Sequence, residues 1–98
     1  MKIDQIRNSG SLTLAIEGRV DTKTAPELEE VLNGALDGVT SLTFDLAQVG
    51  YISSAGLRVL LMAQKIMNKQ GEMKVTNVSA DIMEIFEVTG FTDILTIV

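Results

Sequence analysis

Four small residues in a row, Ser53, Ser54, Ala55 and Gly56, stand where an apolar run ends and a helical pattern begins. They are the part of the chain best suited to chemistry. The first turn of a helix leaves backbone N–H groups unpaired and carries partial positive charge, so it stabilises a phosphate, whether on a ligand or esterified to a serine. Small side chains keep that backbone approachable. The plainer use of either hydroxyl is to cap the helix, and on the local pattern alone that use comes first. Two carboxylates, Asp21 and Asp45, stand in other segments. They could in principle share a divalent cation, but no coordination loop accompanies them, and capping or loop bracing fits them better.

The serines have no internal activator. The chain contains no histidine and no cysteine, so it lacks the usual neutral-pH base, thiolate nucleophiles and cysteine-based zinc ligands. No Ser-His-acid set can be assembled, and no Gly-rich nucleotide-binding motif precedes a helix. The expectation is therefore a protein that is not an enzyme, with no cofactor and no metal. Its 98 residues fit one domain spanning 1–98. The net charge of −5 disfavours direct contact with nucleic acid or anionic lipid, which leaves other proteins as partners. No apolar run approaches the roughly 20 residues of a membrane span, and Met1 to Asp4 lack the apolar core of a signal peptide, so a cytoplasmic location is expected. Oligomeric state is left open.

The elements that must position the serines follow from periodicity. Leu12, Leu14 and Ile16 alternate with Thr13, Ala15 and Glu17 as in a half-buried strand, and Asn8-Ser9-Gly10 joins it to Lys2–Arg7 as a hairpin. Thr24-Ala25-Pro26-Glu27 reads as a capping box opening a helix whose apolar face is Ala25, Leu28, Val31, Leu32, Ala35 and Leu36, with Gly38 as its C-terminal cap. Leu42, Phe44 and Leu46 mark a second strand, which gives way to Ala47-Gln48-Val49-Gly50 as a loop. After the serines comes a largely buried helix, with Arg58, Lys65 and Lys69 on one solvated stripe and its methionines filling core. Gly71 ends it. A strand over Met73–Val78, a helix capped by Ser79 and closed by Gly90, and a last strand over Ile94–Val98 complete the chain. A hairpin followed by alternating helices and strands predicts an α/β fold with a mixed sheet and helices packed on it.

Two stretches add a family resemblance. Gly-Arg-Val-Asp-Thr-Lys-Thr-Ala-Pro-Glu-Leu at 18–28 and Phe-Asp-Leu-Ala-Gln-Val-Gly-Tyr-Ile-Ser-Ser-Ala-Gly-Leu-Arg-Val-Leu at 44–60 resemble the signatures of STAS domains, in particular the stand-alone bacterial anti-sigma-factor antagonists. The resemblance covers essentially the whole chain and implies one small STAS-like domain.

It also implies partner switching, in which the unphosphorylated domain binds an anti-sigma factor that is itself a serine kinase and so releases a sigma factor. Phosphorylation ends that binding, and a serine phosphatase restores it. Anchoring on Gly56-Leu57 implies Ser54 as the acceptor, with Ser53 as the alternative. Two departures stand beside this: Ser53 falls where many members have aspartate, and Ala55 where many have serine or threonine. Asp21 and Asp45 match the family's acidic positions and are expected near the phosphorylation loop. With Thr22, Ser53, Ala55 and Gly56 they form the expected partner-facing surface. Two other readings stay open: a non-enzymatic sensor binding a nucleotide or other anion at the same helix start, and an adaptor subunit of a signalling or lipid-transport complex.

Overall fold

The alternation of apolar and polar residues along the first half of the chain becomes two adjacent strands in the computed structural model, which describes residues 1–98. Strand β1 (Lys2–Asn8) and strand β2 (Ser11–Val20) pair antiparallel from Lys2 opposite Glu17 to Asn8 opposite Ser11. Ser9 takes a left-handed conformation (φ 57°) in the two-residue turn between them. Helix α1 (Ala25–Ala35) leads to β3 (Ser41–Ile52), helix α2 (Ser54–Gln70) to β4 (Glu72–Thr76), and helix α3 (Ala80–Thr89) follows. The sheet order is β1-β2-β3-β4, with β3 parallel to both β2 and β4. The expected mixed α/β architecture is therefore what forms. No helix is long and apolar enough to cross a membrane.

Leu12, Leu14, Ile16, Leu42, Phe44, Leu46, Met73 and Val75 point from the sheet into one cluster of 25 buried apolar residues, which the helices complete with Leu28, Leu32, Leu60, Met67, Ile82 and Phe86. Removing such side chains from water, at about 25 cal/mol per Å² of apolar surface, is the main force holding helices to sheet. Arg7 ties the edge strand to α1, donating from Nη2 to the Ala35 carbonyl at 2.7 Å. The last turn of α1 has no basic residue of its own, so this distant guanidinium supplies the cation that a helix C-terminus favours.

Three local expectations are corrected. Ala47–Gly50 is not a loop: β3 continues to Ile52, with two irregularities in its register against β2, between Ala15 and Glu17 and between Gly18 and Arg19. At each, β3 carries one more residue than β2, as in β-bulges. Burial along the strand therefore changes from every second residue to Leu46, Val49 and Ile52. Thr24 makes no side-chain cap bond to α1, and the helix closes at Leu36, two residues before Gly38. Ile94–Val98 is not a full strand. Phe91–Asp93 form a 3-10 turn, and a single bridge pairs Ile97 with Val75, held by Val75 N–H to the Thr96 carbonyl (2.8 Å) and Val98 N–H to the Val75 carbonyl (3.0 Å).

Candidate functional site

Strands β2 and β3 end together. Val20 and Ile52 are their last paired residues, and the next N–H, that of Ser53, donates to the Val20 carbonyl at 2.8 Å. Each strand then turns into a helix, so the loop before α1 and the serine turn before α2 lie side by side.

In the first loop Asp21 is the organiser. Its Oδ1 accepts from the N–H groups of Lys23 (3.0 Å) and Thr24 (3.1 Å), and its carbonyl accepts from the N–H of Ala25 (2.8 Å). The Thr24 hydroxyl turns back, donating to the Arg19 carbonyl at 2.7 Å and accepting from the Asp21 N–H at 2.9 Å. This is why Thr24 does not cap the helix: its hydroxyl is already engaged upstream. Arg19 Nε pairs with Asp21 Oδ2 at 3.5 Å. Hydrogen bonds to the charged form, chiefly from the Thr24 N–H with further help from Lys23, the Thr24 hydroxyl and Arg19, hold the Asp21 carboxyl below its ordinary value despite some opposing desolvation.

In the second turn the two serines have different surroundings. Ser53 has extended backbone, is half-buried, and its Oγ accepts from the Gly56 N–H at 3.4 Å as the N-cap of α2. Ser54 is the first residue of the helix and exposed, and its hydroxyl has no hydrogen bond within the chain. Gly56 lets α2 approach the strand ends. A Cβ there would lie 2.7 Å from Val20 Cγ1 and 2.8 Å from Ile52 Cγ1.

Asp21, Thr22, Ser53, Ser54, Ala55 and Gly56 are thus brought to one end of the sheet. Thr22 and Ala55 also share a groove of about 430 Å³, with Pro26 and Glu29 on the α1 wall and Arg58 and Met62 on the α2 wall. Asp45 is differently employed. Its Oδ1 accepts from the Ala47 N–H and from Asn77 Nδ2, both at 3.0 Å, bracing the first β3 irregularity and the exit of β4. Neither bond reaches the serine turn. Two residues absent from the sequence expectation lie beside the site: Arg19, whose guanidinium carbon is 4.4 Å from the centre of the Tyr51 ring, and Tyr51 itself. A lone aromatic in a run of small residues was the available signal.

With this geometry in place, comparison with known proteins gives a consistent picture. The family model described as Mlab, STAS domain, matches residues 4–97. The chain is 36% identical over 96 residues to BtrV of Bordetella bronchiseptica, covering 96% of this chain and 83% of that protein. It is 32% identical over 98 residues to the anti-sigma-B factor antagonist of Bacillus subtilis, covering 99% of this chain and 90% of that protein. In fold it is similar to the crystal structure of an anti-sigma factor antagonist from Mycobacterium paratuberculosis, with a TM-score of 0.88 and 22% identity over 98% of this chain and 83% of the other.

Proposed function

The chain belongs to the STAS-domain family, and from that membership and the geometry of its serine turn we propose that it is an anti-sigma-factor antagonist acting by partner switching. Unphosphorylated, it binds an anti-sigma factor with serine-kinase activity and so frees a sigma factor. The kinase transfers phosphate to Ser54, and a serine phosphatase reverses the transfer.

One observation carries the choice of acceptor: Ser53 Oγ is committed to the Gly56 N–H, whereas the Ser54 hydroxyl is exposed and unpartnered. In the transfer, Ser54 Oγ bonds to the γ-phosphorus as the bond to the leaving ADP oxygen breaks. The hydroxyl proton passes to a base on the kinase, which also supplies nucleotide and metal. The chain is the substrate in that step.

The product dianion would stand on the first residue of α2, where the helix N-terminus favours negative charge, so the fold tolerates it. A partner packed over the turn instead meets added bulk and about 1.5–2 negative charges. Coupling of about 1–3 kcal/mol is enough to change affinity roughly 5- to 150-fold.

The test is incubation with an anti-sigma serine kinase of the same host, ATP and Mg²⁺, followed by intact-mass measurement and peptide mapping. A single phosphate on Ser54, absent from Ser54→Ala, is the expected result. An active kinase that leaves the chain unmodified, or labels Ser54→Ala fully, overturns it. Binding without any phosphorylation would favour an adaptor whose partner seats in the groove between α1 and α2.

A further inference from the structure

Resting on that reading, we propose that Arg19 and Tyr51 form a second, preorganised contact for the same partner, one that sets affinity and selectivity without touching the phosphorylated hydroxyl.

The two residues are a cross-strand pair, directly preceding the Val20–Ile52 pair from which both functional turns emerge. They therefore lie at the same end of the sheet as Ser54. The second β3 irregularity falls just before them, and it turns Gly50 and Tyr51 outward while Val49 and Ile52 remain buried. Arg19 lies over the Tyr51 ring at 4.4 Å, and its Nε is paired with Asp21 Oδ2. Among 8 cationic and 13 acidic side chains this is the single ion pair within the chain, so the arrangement is not a by-product of crowded surface charge.

Both side chains nonetheless remain open to a partner. The Arg19 side chain is 65% exposed and Tyr51 is 38% exposed. No hydrogen bond within the chain uses the Tyr51 hydroxyl, and the Nη groups of Arg19 are free of the Asp21 contact that engages Nε. A guanidinium held on one side by a carboxylate and on another by a ring has little freedom left to lose on binding. Tyrosine and arginine are also the side chains that most often dominate binding energy at protein interfaces. The chemistry that complements them is a carboxylate, or a pair of backbone carbonyls, for the Nη fork, with an apolar group against the tyrosine edge. We therefore assign to the partner an acidic patch flanking the surface that receives the serine turn.

Calorimetric titration against an anti-sigma serine kinase of the same host tests the assignment. Arg19→Ala and Tyr51→Leu are each expected to weaken binding by about tenfold. Arg19→Lys should recover only part of the loss, because the fork is gone while the charge stays. Since Arg19→Ala also releases Asp21, Tyr51→Leu serves as the variant that leaves the Asp21 loop intact. In phosphorylation assays both are expected to raise KM and leave kcat for Ser54 unchanged, with an unshifted Tm for Tyr51→Leu excluding a smaller folded fraction as the cause. Kd values within about twofold of the parent for both single variants overturn the contact while the switch stands. A parent chain that neither binds nor is phosphorylated removes the switch and this contact together.

Discussion

The N–H of Ser53 donates to the carbonyl of Val20 across 2.8 Å, joining the residue that caps α2 to the residue that closes β2. The bond carries the β2–β3 pairing one residue past Val20–Ile52, so the serine turn and the Asp21 loop share one frame.

Ser53 and Ser54 should separate stability from switching. Ser53→Ala removes the cap and is expected to cost up to about 1 kcal/mol, a fall in Tm of several degrees for a domain of this size. Ser54→Ala should leave Tm nearly unchanged and abolish phosphate incorporation. Ser54→Asp places a carboxylate in the first turn, where it stabilises the helix by about 0.3–1 kcal/mol, yet it should weaken binding to the anti-sigma kinase. Thermal melts and titration of the same three variants check all of this.

Gly56→Ala pits two effects against each other. Alanine is preferred over glycine in a helix by about 1 kcal/mol. Its Cβ, however, would come within 2.8 Å of the γ-carbons of both Val20 and Ile52, and 3.0 Å from the Val20 carbonyl oxygen. Both neighbours are β-branched and stiff at χ1, so overpacking at about 1–3 kcal/mol should win. Urea unfolding is expected to show a net loss of stability, and a gain would mean that α2 stands farther from the strand ends.

Asp21 makes stability depend on acid. Its carboxyl is held below the ordinary 3.8 when folded, so it contributes stability above the unfolded value, and that contribution disappears as pH falls through the folded one. Asp21→Asn should therefore melt at a lower temperature than the parent at neutral pH. The gap should narrow steadily once the pH drops below about 4. A gap independent of pH over that range would assign the loss to geometry and not to charge.

Gln64 offers a stabilising substitution. It is 8% exposed on the inward side of α2, its Nε2 donates to Asn68 at 2.8 Å, and its Oε1 has no partner. A buried acceptor left unmade costs about 1–3 kcal/mol. Gln64→Met keeps the length of the side chain and removes that acceptor, while exposed Asn68 can turn to water. Tm is expected to rise by a few degrees, and no rise would mean that Oε1 is already solvated.

Much of this architecture is legible before any coordinates. The alternation at Leu12–Leu14–Ile16 and Leu42–Phe44–Leu46 sets which face of the sheet is buried, and Ser79 and Gly90 bound α3 as the capping rules require. What periodicity cannot show is competition among hydrogen bonds. Thr24 and Glu27 have the spacing of a capping box, but Asp21 captures the Thr24 N–H and the Arg19 carbonyl captures its hydroxyl. The two serines are likewise indistinguishable as letters, and only the extended backbone of Ser53 directs its hydroxyl to the Gly56 N–H. Ala47–Gly50 reads as a loop because burial at Leu46, Val49 and Ile52 repeats every third residue, which neither a regular strand nor a helix produces over that length. Asp45 matches a site position in sequence, yet its oxygen is given to Ala47 and Asn77.

The two extra residues in β3 make the position of the serines a matter of counting. Each insertion advances the strand by one step relative to its neighbour, and side chains on a strand point alternately to opposite faces. Two such steps return Ile52 to the core in phase with Val20, with Ser53 next in line. Loss of Gly50 alone would put the strand half a cycle out: Tyr51 would be driven inward, Ile52 outward, and the serine turn would be delivered to the wrong side of β2. Spacing between Asp45 and Ser53 is therefore as strict a requirement as the apolar character of Leu46, Val49 and Ile52, and at the exposed Ala47, Gln48 and Gly50 substitutions should be tolerated where insertions and deletions are not.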